Sequence, residues 1–226
     1  MKKLVLLVVF ITLTTTSNAQ ENEIGFFIGG SNYVGDIGKE YYIFPNEIMG
    51  GVLFKKNVNP RFALRASFTY ASIKADDADA SNTGRNLRGV NFSNSIKELA
   101  VGIEFNYWEY NISDRRMTKT PYLLFELAAF NYKVVDEEVA PQEYNYKSKT
   151  SFAIPFGIGF KSQLVEDFTF AIELRARYTF VDNIDYNNPE IESLNFGNPD
   201  SNDWYMFSGI TFTYSFGRPP CYARPF

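Results

Sequence analysis

The sequence predicts an all-β chain, an eight-stranded antiparallel up-and-down β-barrel of the outer-membrane type. Three observations lead there. Eight segments alternate apolar and polar side chains with period 2, while helical periodicity is nearly absent after the N-terminal leader. Each segment runs to roughly 12–16 residues, against about 5–6 for an ordinary strand, which suits tilted strands keeping ~9–11 residues in a bilayer. The connections between them alternate between long and short, with an intermediate one after the fourth segment.

Taken in chain order, the first element is a leader. Lys2 and Lys3 precede an uncharged apolar run from Leu4 to Leu13, followed by small and polar residues ending in Ser17-Asn18-Ala19. This is a secretory signal peptide over 1–19, its apolar run too short to span a bilayer, with the mature chain expected from Gln20. No later stretch is long and apolar enough for a transmembrane helix. The first segment, 23–34, sets Ile24, Phe26 and Ile28 against Gly25, Phe27 and Gly29; the second, 47–58, sets Val52 and Phe54 against Gly51 and Leu53. In the third, 61–74, Phe62, Leu64, Ala66, Phe68 and Tyr70 oppose Ala63, Arg65, Ser67 and Thr69. The fourth, 95–110, opposes Leu99, Val101, Ile103, Phe105 and Tyr107 to Glu98, Ala100, Gly102, Glu104 and Asn106. The fifth, 120–134, places Leu123, Phe125, Leu127 and Ala129 opposite Glu126 and Ala128. In the sixth, 150–164, Phe152, Ile154, Phe156, Ile158 and Phe160 oppose Ala153, Pro155, Gly157, Gly159 and Lys161. The seventh, 168–181, sets Phe170, Ile172, Leu174, Ala176, Tyr178 and Phe180 against Thr169, Ala171, Glu173, Arg175 and Arg177. The eighth, 204–216, opposes Met206, Ile210, Phe212, Tyr214 and Phe216 to Gly209, Thr211, Thr213 and Ser215.

The chemistry of the two faces separates a barrel from a soluble sandwich, the competing all-β fold. The polar faces hold many Gly, Ala, Ser and Thr, as the cramped interior of a small closed barrel requires. The apolar faces carry Tyr70, Tyr107, Tyr178, Trp204 and Phe216 toward their ends, as interfacial girdles do. The long connections, 35–46, 75–94, 135–149 and 182–203, then lie on the external side. Short turns near Asn59-Pro60 and Glu166-Asp167, and the intermediate 111–119, lie in the periplasm. Acidic stretches at 76–79 and 182–203 read as solvated loops, with cation binding the alternative, since no calcium-loop spacing is present.

With polar faces inward, the lumen receives Glu98, Glu104, Glu126 and Glu173 together with Arg65, Lys161, Arg175 and Arg177. Balanced signs in so narrow an interior point to a salt-bridged plug, whereas a selective pore favours one sign. The chain has 226 residues with no histidine, one cysteine, 22 basic and 26 acidic side chains, and a net charge of −4. It therefore lacks Ser-His-Asp, Cys-His and His-containing zinc chemistry, a disulfide framework, and the basic surface that nucleic acid needs. The reading is a non-enzyme with no cofactor, no metal, no nucleic-acid partner and no small-molecule substrate.

Residues 208–216 resemble the terminal signal read by barrel-assembly machinery, through Gly209, Phe212, Tyr214 and the closing Phe216. The chain continues past that point with Arg218, Pro219, Pro220, Cys221 and Tyr222 in a tail over 217–226. Its prolines prevent a further central strand. Its lone thiol, in an oxidising compartment, points to intermolecular pairing. Extended Pro-rich segments with aromatic and Arg anchors are also recognition peptides.

With the Ala19-Gln20 leader end, Glu23-Ile24-Gly25, Tyr33-Val34-Gly35-Asp36 and Gly217-Arg218-Pro219-Pro220-Cys221, the chain resembles the PorG family of outer-membrane barrels in Bacteroidetes. That resemblance implies a subunit of the type IX, gliding-associated protein secretion machinery. Such a barrel would fasten a periplasmic ring, built from a PorK/GldK-type lipoprotein and a PorN/GldN-type protein, to the outer membrane. The tail around Cys221 and the turn 111–119 would face that ring, with the N-terminus and tail in the periplasm and lipid around the barrel. The alternatives are a surface adhesin or binding protein acting through the external loops, and a narrow solute channel.

Overall fold

Alternating side chains commit each segment to a strand with two chemically different faces, and the strands close into a ring. The structure is a computed structural model that describes residues 22–111, 118–141, 143–165, 167–198 and 201–217. Its strands are β1 (Asn22–Val34), β2 (Glu47–Asn59), β3 (Phe62–Asp76), β4 (Asn91–Asn106), β5 (Lys119–Ala140), β6 (Glu143–Val165), β7 (Phe168–Thr179) and β8 (Trp204–Phe216). Each pairs antiparallel with its sequence neighbours. β1 also pairs with β8, from Asn22↔Phe216 to Val34↔Trp204, so the barrel has no free edge. The expected leader 1–19 with its end at Gln20, most of the turn 111–119, and the tail beyond Gly217 lie outside the described residues.

The exterior is apolar around the ring. Ile24, Val52, Leu64, Val101, Leu127 and Ile172 are among the large side chains left exposed there. An apolar surface of this extent fits hydrocarbon rather than water. Aromatic rings mark both rims of the belt. Toward the long loops, Trp204 sits 5.1 Å from Tyr178 and 6.1 Å from Phe156 between ring centroids. Toward the short turns, Tyr107 meets Trp108 at 6.0 Å and Phe168 meets Tyr214 at 5.2 Å. At one of those turns the Asn59 side chain accepts the N–H groups of Arg61 and Phe62 at 2.8 and 2.9 Å, a hydrogen-bonded Asx turn.

Three sequence expectations need correction. The segment 135–149 is not a loop: β5 and β6 continue past the belt to 22 and 23 residues, pairing as far as Ala140↔Glu143. Beyond the belt both faces of this hairpin meet water, so Asp136, Glu137, Glu138 and Lys147 carry no apolar alternation to reveal it. Its ladder bends at register shifts between Val135 and Glu137 and between Glu138 and Ala140. Second, β3 extends to Asp76 and β4 runs over 91–106 rather than the expected 95–110, which leaves residues 107–110 outside the strand and narrows the expected 75–94 connection. That connection holds a 3-10 turn at Asp77–Asp79 and a short helix, α1 (Thr83–Arg88), despite the absence of helical periodicity. The Asn82 side chain accepts the Gly84 N–H, and Gly89, at φ 67°, ends the helix in the left-handed region. Third, β7 stops at Thr179, two residues short of the expected end.

Small residues on the inner faces make room for large neighbours. A Cβ added at Gly159 would strike the Tyr122 ring, and one added at Gly102 would strike Glu126. At Gly157 it would strike the Leu174 backbone oxygen and lie 2.9 Å from Arg175 Cα, neither of which can rotate away. Gly157→Ala is therefore expected to destabilise the barrel by about 1–3 kcal/mol through overpacking. Gly50→Ala, whose new Cβ meets nothing closer than 3.8 Å, should be neutral or slightly stabilising. Urea unfolding of both variants in lipid vesicles distinguishes them.

Candidate functional site

The inner faces converge on the lumen, where ten charged side chains are buried. Glu23 comes from β1, Lys55 from β2, Arg65 from β3, Glu98 and Glu104 from β4, and Glu126 from β5. Lys161 comes from β6 and Glu173, Arg175 and Arg177 from β7; none is more than 2% exposed. β8 contributes hydroxyls and rings instead, through Thr211, Thr213, Tyr205 and Phe207.

The charges form three connected groups along the axis. Nearest the short turns, the Glu104 carboxylate pairs with Lys55 at 2.9 Å, with Lys161, and at 3.6 Å with Arg65. Lys161 Nζ also lies 4.4 Å from the centre of the Tyr110 ring. In the same region Glu23 accepts hydrogen bonds from Asn57 Nδ2 at 2.8 Å and Thr213 Oγ1 at 2.6 Å.

In the middle group, Arg65 holds Glu173 through two parallel bonds of 2.8 and 3.0 Å, the planar fork that guanidinium and carboxylate share. Tyr122 and Thr211 donate to the same carboxylate at 2.6 and 2.9 Å. Arg175 lies 3.3 Å from Glu173 and 3.7 Å from Glu126, with its guanidinium 4.3 Å from the centre of the Phe27 ring. In the third group Arg177 forks onto Glu98 at 3.2 and 3.0 Å, and Tyr205 donates to that carboxylate at 2.7 Å. The Arg177 guanidinium lies 3.7 Å from the Phe207 ring centre.

Above these groups the lumen turns apolar. Ile73, Ile96, Phe130 and Tyr132 are buried there, joined by Ile37 and Ile184 from the loops. Buried ions are tolerated only when paired or hydrogen-bonded. This lumen places nine of the ten in salt bridges and holds Glu23 by hydrogen bonds. It leaves Glu126 and Arg175 to ion pairing without hydrogen bonds among the described residues, and closes over all ten with packed side chains.

The acidic stretches 76–79 and 182–203, expected as solvated loops, instead bury Asp77, Asp185 and Asp203, because hydroxyl, N–H and guanidinium donors take the place of water. Their carboxyls cap the long-loop end. The Tyr33 hydroxyl is hydrogen-bonded to Asp185 at 2.9 Å and to Asp203. Backbone N–H groups of Asn187 and Ile184 donate to the same two carboxylates at 3.0 and 2.9 Å. Burial, with Asp185 nearby, pushes Asp182 up to about 7, and burial likewise raises Asp185 to about 6. Burial and Asp185 raise Asp203 as well. At Asp77 burial acts upward too. Hydrogen bonds from Arg88 and from the N–H groups of Gly38 and Val90 outweigh it, leaving this carboxyl below its usual range. Among the described residues, no group of three or more Asp, Glu or Cys side chains is placed to hold a metal ion.

Arg65, Glu98, Glu104, Glu126, Lys161, Glu173, Arg175 and Arg177 thus share one interior. Sequence reasoning missed Glu23 and Lys55, although parity with Phe27 and Leu53 on their own strands marks both as inward. Arg218, Pro219, Pro220, Cys221 and Tyr222 lie outside the described residues.

A family model described as "Domain of unknown function (DUF6089)" matches residues 2–225. No curated protein matches the chain. Among solved structures, Ail, the attachment invasion locus protein of Yersinia pestis, in complex with the heparin analogue sucrose octasulfate, is 14% identical over 88% of this chain and 100% of that one, with a TM-score of 0.48. A major outer membrane protein of Thermus thermophilus is 12% identical over 88% and 100%, with a TM-score of 0.47. The outer membrane protein OprG of Pseudomonas aeruginosa is 13% identical over 88% and 95%, with a TM-score of 0.45.

Proposed function

The chain belongs to the DUF6089 family, and we propose that it is a non-catalytic outer-membrane barrel that anchors a periplasmic assembly. The observation that carries this reading is the division of the barrel into an apolar, aromatic-rimmed exterior and a lumen filled by paired charges and packed rings. The exterior suits a bilayer. The filled lumen disfavours passage, so the barrel is read as a fixed object in the membrane, with its working surfaces at its two ends.

The finer reading is a subunit of type IX protein secretion. Its support is the order of sequence motifs shared with PorG-type barrels, from Glu23-Ile24-Gly25 to Gly217-Arg218-Pro219-Pro220-Cys221. The pairing of Asn22 with Phe216 is compatible with it, because the chain leaves the last strand at the rim where β1 begins. With the short turns facing the periplasm, residues 217–226 would meet a ring of PorK/GldK-type lipoprotein and PorN/GldN-type protein, with Cys221 available for an intermolecular disulfide.

Deleting residues 217–226 is expected to abolish co-purification of ring proteins from native membranes, while the barrel still assembles and keeps its heat-modifiable migration. Unchanged co-purification would remove the tail from the reading. The Cys221→Ser variant, run on a non-reducing gel beside the wild type, should lose a reducible higher band.

A further inference from the structure

β4 and β5 separate toward the long loops. Their ladder ends at Lys97↔Asn131, although β4 stays paired with β3 to Asn91↔Asp76 and β5 stays paired with β6 to Ala140↔Glu143. Asn94 spans the split. Its Nδ2 donates to the carbonyls of Lys133 and Ile184, both at 2.8 Å, and its Oδ1 accepts the Lys133 N–H at 3.1 Å. Beside that bridge lies a cleft of about 400 Å³, within the range of small-molecule sites.

Five aromatic residues wall this cleft: Phe92, Tyr144, Tyr146, Tyr186 and Phe196. Tyr186 is held there against its backbone preference. At φ 73° it is the one non-glycine among the described residues in the left-handed region. Its ring packs 5.1 Å from Tyr146 and 6.0 Å from Phe92, and its hydroxyl donates to the Ser93 carbonyl at 2.7 Å. A strained residue fixed on both sides at the wall of a cavity is a frequent mark of a binding site. Besides Asp185, three polar residues join the lining, Asn91, Ser93 and Lys133, whose side chains make no hydrogen bond or ion pair among the described residues.

Ring faces beside uncommitted amide, hydroxyl and ammonium groups match a pyranose, which has an apolar C–H face and hydroxyls around its edge. The charge around the cleft selects further. Lys133 is the one basic residue in the lining, and Asp185 is the one acid. The adjoining hairpin and loop add Asp136, Glu137, Glu138, Glu143, Glu190 and Glu192 against two further bases, Lys147, already paired to Asp136, and Lys149. Arg88, 5.0 Å from the Phe196 ring centre, is paired to Asp77. Such a surface repels anions. We propose that the β4–β5 cleft binds a neutral saccharide, with the sugar face against the aromatic wall around Tyr146 and its hydroxyls bonded by Asn91, Ser93 and Lys133.

The test uses the full chain in lauryldimethylamine oxide micelles, since a glycoside detergent would compete. The probes are maltose, cellobiose, lactose, N,N′-diacetylchitobiose and a sulfated disaccharide, read by saturation-transfer NMR and titration. At least one neutral disaccharide is expected to bind with a Kd below about 1 mM. Tyr146→Ala should weaken it by about tenfold. Tyr146 is half exposed on the hairpin, so the barrel should tolerate its loss, with circular dichroism and heat-modifiable migration as checks. Lys133→Met is the second variant and should weaken binding about threefold, the effect of one hydrogen bond. The proposal is overturned if no neutral disaccharide gives a saturation-transfer signal at 10 mM, if Tyr146→Ala and Lys133→Met both bind as the wild type does, or if the sulfated sugar alone binds.

Discussion

Glu104→Ala is expected to cost the barrel roughly 3–5 kcal/mol, the effect of removing one partner from a buried ionic group. Glu104 is the carboxylate on which Lys55 and Lys161 both converge, with Arg65 at 3.6 Å. All four side chains are fully buried, so water cannot replace the lost charge. Three cations then face one another near the short-turn rim, with Glu23, Glu126 and Glu173 as the remaining acids in reach. Urea unfolding in lipid vesicles should show the loss, and adding Lys161→Met should restore part of it by removing an orphaned ammonium. Glu109→Ala is the control: its pair with Arg61, at 3.7 Å, is largely exposed, and its loss should change stability by less than about 1 kcal/mol. Equal effects at Glu104 and Glu109 would mean that the lumen is hydrated and its charges are not a plug.

The second large effect is on the outside. Leu127→Arg should destabilise the barrel by roughly 2–4 kcal/mol, the cost of a cation at the middle of the bilayer on a lipid-facing strand. Leu127 is 60% exposed and pairs with Val101, itself opposite Ala66, in the central part of the ladder. Tyr107→Arg, at the short-turn rim, should cost only ~0–1 kcal/mol, because a long side chain there reaches the interface. In water a substitution at so exposed a leucine would do little, so the contrast between the two sites reports the membrane directly. If both variants unfold with the wild type in vesicles, the apolar belt is not in contact with lipid.

Much of this molecule was legible in the chain because a pleated strand obeys a strict parity. Once Val101 and Ile103 face out, Glu98, Gly102 and Glu104 must face in, and the same holds for Glu173, Arg175 and Arg177 on β7. Parity also marks Glu23 and Lys55, which continue the inner faces of Gly25 and Phe27 and of Gly51 and Leu53 by one step toward the short-turn rim. The β5–β6 hairpin was illegible for the opposite reason. Outside the belt nothing demands a dry face, so Asp136, Glu137 and Glu138 continue a strand that looks like a loop. The helix α1 had only its caps, Asn82 and Gly89, to announce it.

The partners within the lumen could not be read at all. Arg65 meets Glu173 across 108 residues of sequence, a match set by the stagger of strands around the closed ring. The aromatic cleft is of the same kind, gathering Phe92 from β4, Tyr146 from β6 and Tyr186 from a loop. Strand count, faces, the sign balance of the interior and the residues at which the rims fall all follow from a period of two along each strand, and so are written in the chain. Which charge pairs with which, where β4 and β5 part, and that the lumen is shut depend on register and closure, which bring together residues that no local pattern connects.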